Sequence, residues 1–332
     1  MAEPDVPQGH RPLTRPGIVG KPHGPLPVAQ ARIAAIEIAI GGRVGDSSPP
    51  RQVDRKHRID PYHRPKGLAP QRAAQPKDYS MNPHSLLSNR TIVVTGAATG
   101  IGQAFAVGCA AQGAHVVVAD FGPADETMAA IAAAGGQALY TRTDVSDDAA
   151  TREMAVQAVA KFGRIDGLIN NAAYFREVRL TDFEQIDAAI WDRVFEVNVK
   201  GVWNCCKAVM PAMREQKSGS IVNIASVVAV AGQPGYLHYV ASKGAVLAMT
   251  KGLAKEVGPH SVRVNVIAPG FVITDATKNR PVEWQQSFLK ARAISREQRP
   301  DDLVGTALYL LSDLAGFVSG QTIVVDGGHI MY

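Results

Sequence analysis

From residue 91 onward, short runs of β-branched apolar residues alternate with longer alanine-rich stretches. Runs such as TIVVT at 91–95 and HVVVA at 115–119 are continuously apolar, as expected for strands that are buried on both faces. Strands that alternate with helices form a parallel sheet, because each helix brings the chain back to the end of the sheet where the previous strand began. The pattern predicts an α/β fold with a single doubly wound parallel sheet and helices on both faces.

This pattern extends over most of the chain. Residues 81–332 hold 22 basic and 23 acidic residues, so they give no electrostatic reason to expect nucleic acid binding. No apolar run reaches the roughly 18 residues that a membrane-spanning helix needs. Strands are predicted at 91–95, 115–119, 138–142, 167–170, 220–225, 263–268 and 322–325, and helices at 102–112, 126–134, 149–162, 191–213 and 239–257.

Cysteine usage indicates a reducing compartment. Cys109, Cys205 and Cys206 are too few for a disulfide framework, and none lies in a CxxC pair of the kind that binds structural zinc. Adjacent cysteines are most simply explained as small buried hydrophobic residues. The sequence therefore predicts a cytoplasmic protein with no metal, membrane or nucleic acid partner.

The first 80 residues differ in composition from the rest. They hold 13 of the 21 prolines and no Phe or Trp, and their 13 basic and 7 acidic residues give a net charge of +6. Prolines break helices and central strands, and so polar a segment buries too little apolar surface to offset the entropy of ordering it. We therefore expect residues 1–80 to be a disordered extension and residues 81–332 to form one domain.

Other roles for the extension fit its sequence poorly. Seven acidic residues are atypical of a mitochondrial transit peptide, and the apolar core of a secretory signal is missing. The basic residues are interspersed, whereas a nucleic-acid-binding arm clusters them. Met81 lies ten residues before the first strand, and we expect it to be the natural start, with 1–80 an upstream translation or a disordered appendage.

A glycine-rich turn joins the first strand to the first helix. The sequence TGAATGIG spans 95–102, and its glycines allow a tight turn that lets a pyrophosphate approach the backbone. The helix N-terminus that follows offers free N–H donors and a positive dipole. A tight connection without a ligand is the alternative, but the flanking strand and helix favour nucleotide binding.

Asp120 ends the second strand, 24 residues after Gly96. A carboxylate there can accept hydrogen bonds from ribose hydroxyls and would repel a 2′-phosphate, so it favours NAD over NADP. No Arg or Lys lies between Asp120 and Arg142 to receive that phosphate. The alternative is a strand-end carboxylate that is merely solvated.

Two residues in a later helix have spacing that suits proton transfer. Tyr239 and Lys243 are four residues apart and share one helix face. A nearby ammonium favours the phenolate and brings the tyrosine toward a useful pKa. Ser226 follows a strand, where its hydroxyl can bond the substrate oxygen. A Tyr and a Lys at this spacing are more often an exposed pair, but here they accompany a nucleotide-binding turn.

Taken together, these motifs closely resemble the short-chain dehydrogenase/reductase family over about residues 88–328. The turn matches its cofactor loop, YVASK at 239–243 its YxxxK signature, NNAA at 170–173 its NNAG motif, and PGFVIT at 269–274 its PGxVxT segment. The resemblance implies a Rossmann-fold dehydrogenase domain. It also implies that the chain forms a dimer or tetramer through the helices at 191–213 and 239–257.

The resemblance implies a role for each matching residue. Asn198 would join Ser226, Tyr239 and Lys243 in catalysis through a water-mediated relay to Lys243. Tyr239 and Lys243 would also contact the cofactor. The other cofactor-binding residues would be Gly96, Thr99, Gly100, Ile101, Gly102, Asp120, Asp144, Val145, Asn171, Ala172, Pro269, Gly270, Val272 and Thr274. His238 is given no role.

The expected function is NAD-dependent interconversion of a small secondary alcohol and a ketone, with Tyr239 as general acid and base and no metal. One alternative is a 3-oxoacyl-carrier-protein reductase, which would normally use NADPH. Another is a catalytically silent nucleotide-binding scaffold, which would be expected to lose Tyr239 or Lys243. The segment 275–299 carries Trp284, Phe288 and Leu289. It is either a lid that favours an apolar or aromatic alcohol or a surface helix packed on the body.

Removal of residues 1–80 is expected to leave the folded domain unchanged, because the dehydrogenase pattern needs nothing before about residue 88. Expression of 81–332 should give the same melting temperature and the same kcat as the full chain. A loss of several degrees, or of activity, would show that the extension belongs to the fold.

Overall fold

The computed structural model describes residues 85–331, so the prediction of a disordered segment at 1–80 lies outside the described residues. Seven strands form one parallel sheet in the order β3-β2-β1-β4-β5-β6-β7. They are β1 (Thr91–Thr95), β2 (His115–Asp120), β3 (Gln137–Arg142), β4 (Gly167–Asn170), β5 (Gly219–Ile224), β6 (Val262–Pro269) and β7 (Thr322–Val325). The fold class predicted from the sequence is confirmed.

Helices connect successive strands and cover both faces of the sheet. They are α1 (Gly100–Ala111), α2 (Asp125–Ala133), α3 (Asp148–Phe162), α4 (Ala188–Phe195), α5 (Gly201–Gln216), α6 (Val228–Ala231), α7 (Leu237–Val257), α8 (Val282–Ala291) and α9 (Asp301–Leu311). No described helix is both long enough and apolar enough to cross a membrane.

Alternate residues of each strand supply two separate cores. In β1, Ile92 and Val94 pack with α1, α2 and α9, whereas Val93 packs with α3, α5 and α7. All five residues of β1 are buried, because helices cover both faces of the sheet. This explains why the strands are continuously apolar in the sequence.

The predicted helix 191–213 is longer than expected and is interrupted. It begins at Ala188, and a five-residue π-helical turn (Glu196–Lys200) separates α4 from α5. A helical hydrophobic pattern does not reveal one extra residue in a turn, so the sequence predicted a continuous helix. Such turns occur often at functional sites, and this one contains Asn198.

Helix α9 was missed by the sequence analysis. Pro300 precedes it, and Asp301 and Asp302 occupy its first turn, which is a typical helix start. It packs on α1 so closely that a Cβ at Gly108 would overlap the Val304 side chain. Leu303 and Leu310 are fully buried there, so α9 completes one of the two cores.

Candidate active site

A cleft of about 730 Å³ lies at the carboxyl ends of the strands, where the strand order reverses between β1 and β4. Sixteen of the eighteen predicted site residues line it, and Gly102 and Asn198 lie behind its wall. The residues that line it are Gly96, Thr99, Gly100, Ile101, Asp120, Asp144, Val145, Asn171, Ala172, Ser226, Tyr239, Lys243, Pro269, Gly270, Val272 and Thr274.

The glycine-rich turn has a conformation that side chains would block. Gly96 and Gly100 have φ of 62° and 59°, which favours glycine. A Cβ at Gly96 would lie 2.8 Å from the Ala172 Cα, and a Cβ at Gly102 would overlap the Gly96 carbonyl oxygen. The turn is therefore open to a phosphate group on one side and packed against backbone on the other.

The side chains of the last residue of β1 and of the residue that follows β4 hold this turn in place. The Thr95 Oγ1 accepts hydrogen bonds from the backbone N–H groups of Asn171 and Ala172, both at 3.1 Å. In return, the Asn171 Nδ2 donates to the carbonyl oxygens of Thr95 and Gly96 at 3.1 and 3.0 Å. Ala173 replaces the family's glycine without strain, because its φ is not positive.

Asp120 is fixed at the end of β2. Its carboxylate accepts hydrogen bonds from the Ala98 N–H at 2.8 Å and the Gly122 N–H at 3.0 Å. The Ala98 N–H lies within the glycine-rich turn and the Gly122 N–H follows the strand, so the carboxylate faces the same end of the cleft as the turn. This position suits an acceptor for ribose hydroxyls.

A basic residue lies on the strand next to Asp120, a placement that the linear sequence did not reveal. Arg142 is the partner of Asp120 in the register of β2 and β3. Its guanidinium lies 5.4 Å from the centre of the Phe121 ring, which lines the cleft. The 22-residue separation in sequence hides a pairing that only the strand register shows.

Asp144 and Arg193 form a polar pair at the same end of the cleft as Asp120. The Asp144 Oδ1 accepts hydrogen bonds from the Ser146 N–H and hydroxyl, at 2.9 and 2.7 Å. Burial opposes ionisation of Asp144, but these bonds and the Arg193 charge outweigh it and lower its pKa. Arg193, which the sequence analysis did not select, also pairs with Glu196 at 2.8 Å.

The three catalytic candidates that line the cleft lie together at its opposite end. The Lys243 Nζ donates to the Ile224 carbonyl oxygen at 2.8 Å and lies 5.7 Å from the centre of the Tyr239 ring. Burial lowers the pKa of Lys243 to about 8, so the amine is still mostly protonated at pH 7. Burial raises the pKa of Tyr239, and a hydrogen bond with Ser226 opposes that rise.

Asn198 supports this group from behind. Its Oδ1 accepts the Tyr174 N–H at 2.7 Å, and its Nδ2 donates to the Ser242 Oγ at 3.2 Å. The Ser242 hydroxyl donates in turn to the Tyr239 carbonyl oxygen at 2.8 Å. The side chain of Asn198 thus ties the wall of the cleft to α7, and its link to Lys243 stays a prediction.

Aromatic residues surround the reactive end; Phe175, Tyr236 and Phe271 were not selected from the sequence, whereas Phe288 was named in the segment 275–299. The Phe175 ring lies 4.8 Å from Tyr239 and 6.3 Å from Tyr236, centre to centre. Phe288 on α8 stacks on Phe271 at 5.2 Å and lines the cleft while being buried. Helix α8 therefore packs on the body and also contributes to the wall of the cleft.

Comparison with known proteins identifies the family. A family model described as enoyl-(acyl carrier protein) reductase matches residues 96–329. The chain belongs to the short-chain dehydrogenase/reductase family. It is an oxidoreductase that acts on CH–OH groups and binds a nicotinamide cofactor, in agreement with the cleft and the glycine-rich turn.

Curated relatives of this dehydrogenase include two bacterial proteins. It is 37% identical over 247 residues to the 3-oxoacyl-[acyl-carrier-protein] reductase FabG of Thermotoga maritima, an alignment that covers 74% of this chain and 99% of the relative. It is 38% identical over 250 residues to the corresponding reductase of Synechocystis sp., with 74% and 99% covered.

Solved structures of the family share its fold. A putative short-chain alcohol dehydrogenase from Sinorhizobium meliloti superposes with a TM-score of 0.70 at 36% identity, covering 73% of this chain and 97% of the other. Levodione reductase superposes with a TM-score of 0.69 at 31% identity and the same coverage.

Replacement of Gly102 by alanine is expected to weaken cofactor binding at least tenfold, because the new methyl group would push α1 away from the Gly96 carbonyl. Titration of NADH fluorescence measures the affinity. Gly305→Ala on α9 is the matched control, since a Cβ there would meet no packing neighbour within 4 Å among residues 85–331. Equal affinity in the two variants would contradict this view of the turn.

Proposed function

We propose that this dehydrogenase interconverts a secondary alcohol and a ketone with NAD(H). The observation that carries the proposal is the placement of Ser226, Tyr239 and Lys243 at one end of a cleft whose other end holds the glycine-rich turn and Asp120. A silent scaffold is disfavoured, because Tyr239 and Lys243 are both retained and both line the cleft.

The proton step follows from the side chains present. During alcohol oxidation, Tyr239 in its phenolate form accepts the proton of the substrate hydroxyl, and Ser226 hydrogen-bonds the same substrate oxygen. The Lys243 ammonium stabilises the phenolate through its charge. The hydrogen bond with Ser226 opposes the rise in the pKa of Tyr239 that burial causes. A bound nicotinamide cofactor would accept the hydride from the carbinol carbon.

Tyr239→Phe removes the hydroxyl but keeps the ring, so kcat should fall by at least about 10²-fold with little change in NAD affinity. Lys243→Met should lower activity as well. Because the phenolate then loses its cation, the pH of half-maximal alcohol oxidation should rise. Lys161→Met, an exposed residue near the end of α3, should change neither quantity. Near-normal turnover by Tyr239→Phe would refute the proton step.

The preference for NAD rests on Asp120. A 2′-phosphate beside this carboxylate would suffer charge repulsion, so kcat/KM should favour NAD over NADP by about 1.4–3 kcal/mol, roughly ten- to hundred-fold. Arg142 is the register partner of Asp120 on β3, so it supplies a cation on the neighbouring strand for a 2′-phosphate once the carboxylate is removed.

Asp120→Ser should therefore improve kcat/KM with NADP relative to NAD by about tenfold or more. Addition of Arg142→Ala to this variant should reverse much of the gain. Asp125→Ser, a nearby exposed residue in the first turn of α2, should leave the ratio unchanged. Better turnover with NADP by the unaltered enzyme would overturn the proposal.

The curated relatives favour the narrower alternative, reduction of a 3-oxoacyl group on an acyl carrier protein, more than the general one. The two alternatives share the same catalytic residues and differ in substrate and cofactor. An NADH and NADPH absorbance assay with secondary alcohols, ketones and 3-oxoacyl thioesters separates them.

We further propose that the chain forms a homodimer or homotetramer in the cytoplasm, through α5 and α7. Trp203 on α5 is 48% exposed, with the Lys207 Nζ 4.4 Å from its ring centre. Large exposed aromatic side chains often mark protein interfaces. The three cysteines are buried free thiols, which suits a reducing compartment.

A further inference from the structure

Tyr236 brings a second phenol to the reactive end of the cleft. It lies directly before α7, three residues ahead of Tyr239, and both line the cleft. Only 3% of Tyr236 is exposed, and its hydroxyl oxygen is buried without a hydrogen-bond partner among residues 85–331. A buried hydroxyl of this kind destabilises the free site unless a ligand satisfies it.

The surroundings of this phenol are aromatic and cationic. The Arg280 guanidinium lies 5.7 Å from the centre of the Tyr236 ring and 5.5 Å from that of Phe175. Its Nη2 donates to the Val178 carbonyl oxygen at 3.1 Å, so the arginine is held against the two rings. Arg280 thereby packs against one side of Tyr236.

The phenol is neutral and can donate a hydrogen bond. Burial raises the pKa of Tyr236, and the charges of Arg280 and Arg179 only partly oppose this. The two phenols are close enough to affect each other, since Tyr236 contributes to the raised pKa of Tyr239. The Phe175 ring lies against both tyrosines, and all three rings line the cleft.

We propose that the Tyr236 hydroxyl binds a second oxygen of the substrate, so that the preferred ketones carry a second carbonyl group. This inference rests on the proposed ketone reduction. Tyr239 and Ser226 bind the oxygen that reacts, and Tyr236 donates to the carbonyl oxygen that does not. A substrate without that oxygen leaves the buried hydroxyl unpaired, and a site built to bond an oxygen rejects such analogues strongly. The second carbonyl belongs to an acyl ester or thioester, or to a cyclic diketone.

The test compares dicarbonyl substrates with matched monoketones. Ethyl 3-oxobutanoate is paired with 2-heptanone, and cyclohexane-1,4-dione with cyclohexanone. The N-acetylcysteamine thioester of 3-oxobutanoate is the thioester arm. The unaltered enzyme should prefer at least one dicarbonyl to its partner by tenfold or more in kcat/KM. The dicarbonyl that is preferred identifies whether the second carbonyl belongs to an ester, a thioester or a cyclic diketone.

Tyr236→Phe should lose at least tenfold in kcat/KM on the preferred dicarbonyl, mainly through KM, and less than twofold on the monoketone. Tyr309→Phe, a partly exposed tyrosine outside the cleft, is the matched control and should change neither. The melting temperature of each variant checks its fold.

Equal losses on dicarbonyl and monoketone, or no preference in the unaltered enzyme, would overturn the role of Tyr236. Turnover of any of these ketones by the unaltered enzyme supports the proposed function whichever way the Tyr236 comparison falls. Absence of turnover of every substrate with both cofactors would instead overturn the proposed function itself.

Discussion

The contact between Gly102 and the Gly96 carbonyl determines how closely α1 approaches the end of β1. That distance sets the width of the cofactor end of the cleft, because the N-terminus of α1 forms one of its walls. Thr95 and Asn171 keep the turn in position through four hydrogen bonds between the ends of β1 and β4. The point where the strand order reverses is thus held rigidly by side chains before any ligand arrives.

The reactive end follows a different physical logic. Burial disfavours the charged forms of both Tyr239 and Lys243, so it raises the pKa of Tyr239 and lowers the pKa of Lys243. A hydrogen bond with Ser226 opposes this shift for Tyr239. The site therefore holds a proton donor and a cation in a low-polarity wall, where their interaction is stronger than it would be in water.

Periodicity in the sequence predicted the sheet well, since β1, β4 and β7 have the predicted bounds and the fold class is confirmed. Motifs on strand ends also predicted which residues meet, because parallel strands bring those ends to one edge. What the sequence could not give was contact across strands and between loops. The pairing of Arg142 with Asp120 depends on the register of β2 and β3, and the contact of Tyr236 with Arg280 depends on loop packing. No local pattern encodes either one.

The π-helical turn between α4 and α5 acts as a one-residue insertion in a continuous helix. In an α-helix each residue advances about 100° around the axis, so the turn rotates the face of α5 relative to that of α4 by about that angle. Helix α4 buries Val194 in one cluster with Tyr236, which lines the cleft, while α5 buries Cys205, Val209 and Met213 against the sheet. Deletion of any residue in Glu196–Lys200 would restore ordinary helix geometry and put one of these two faces out of phase with its partner. The length of this turn therefore couples the catalytic wall to the core, in addition to the Tyr174 side chain, which packs against both.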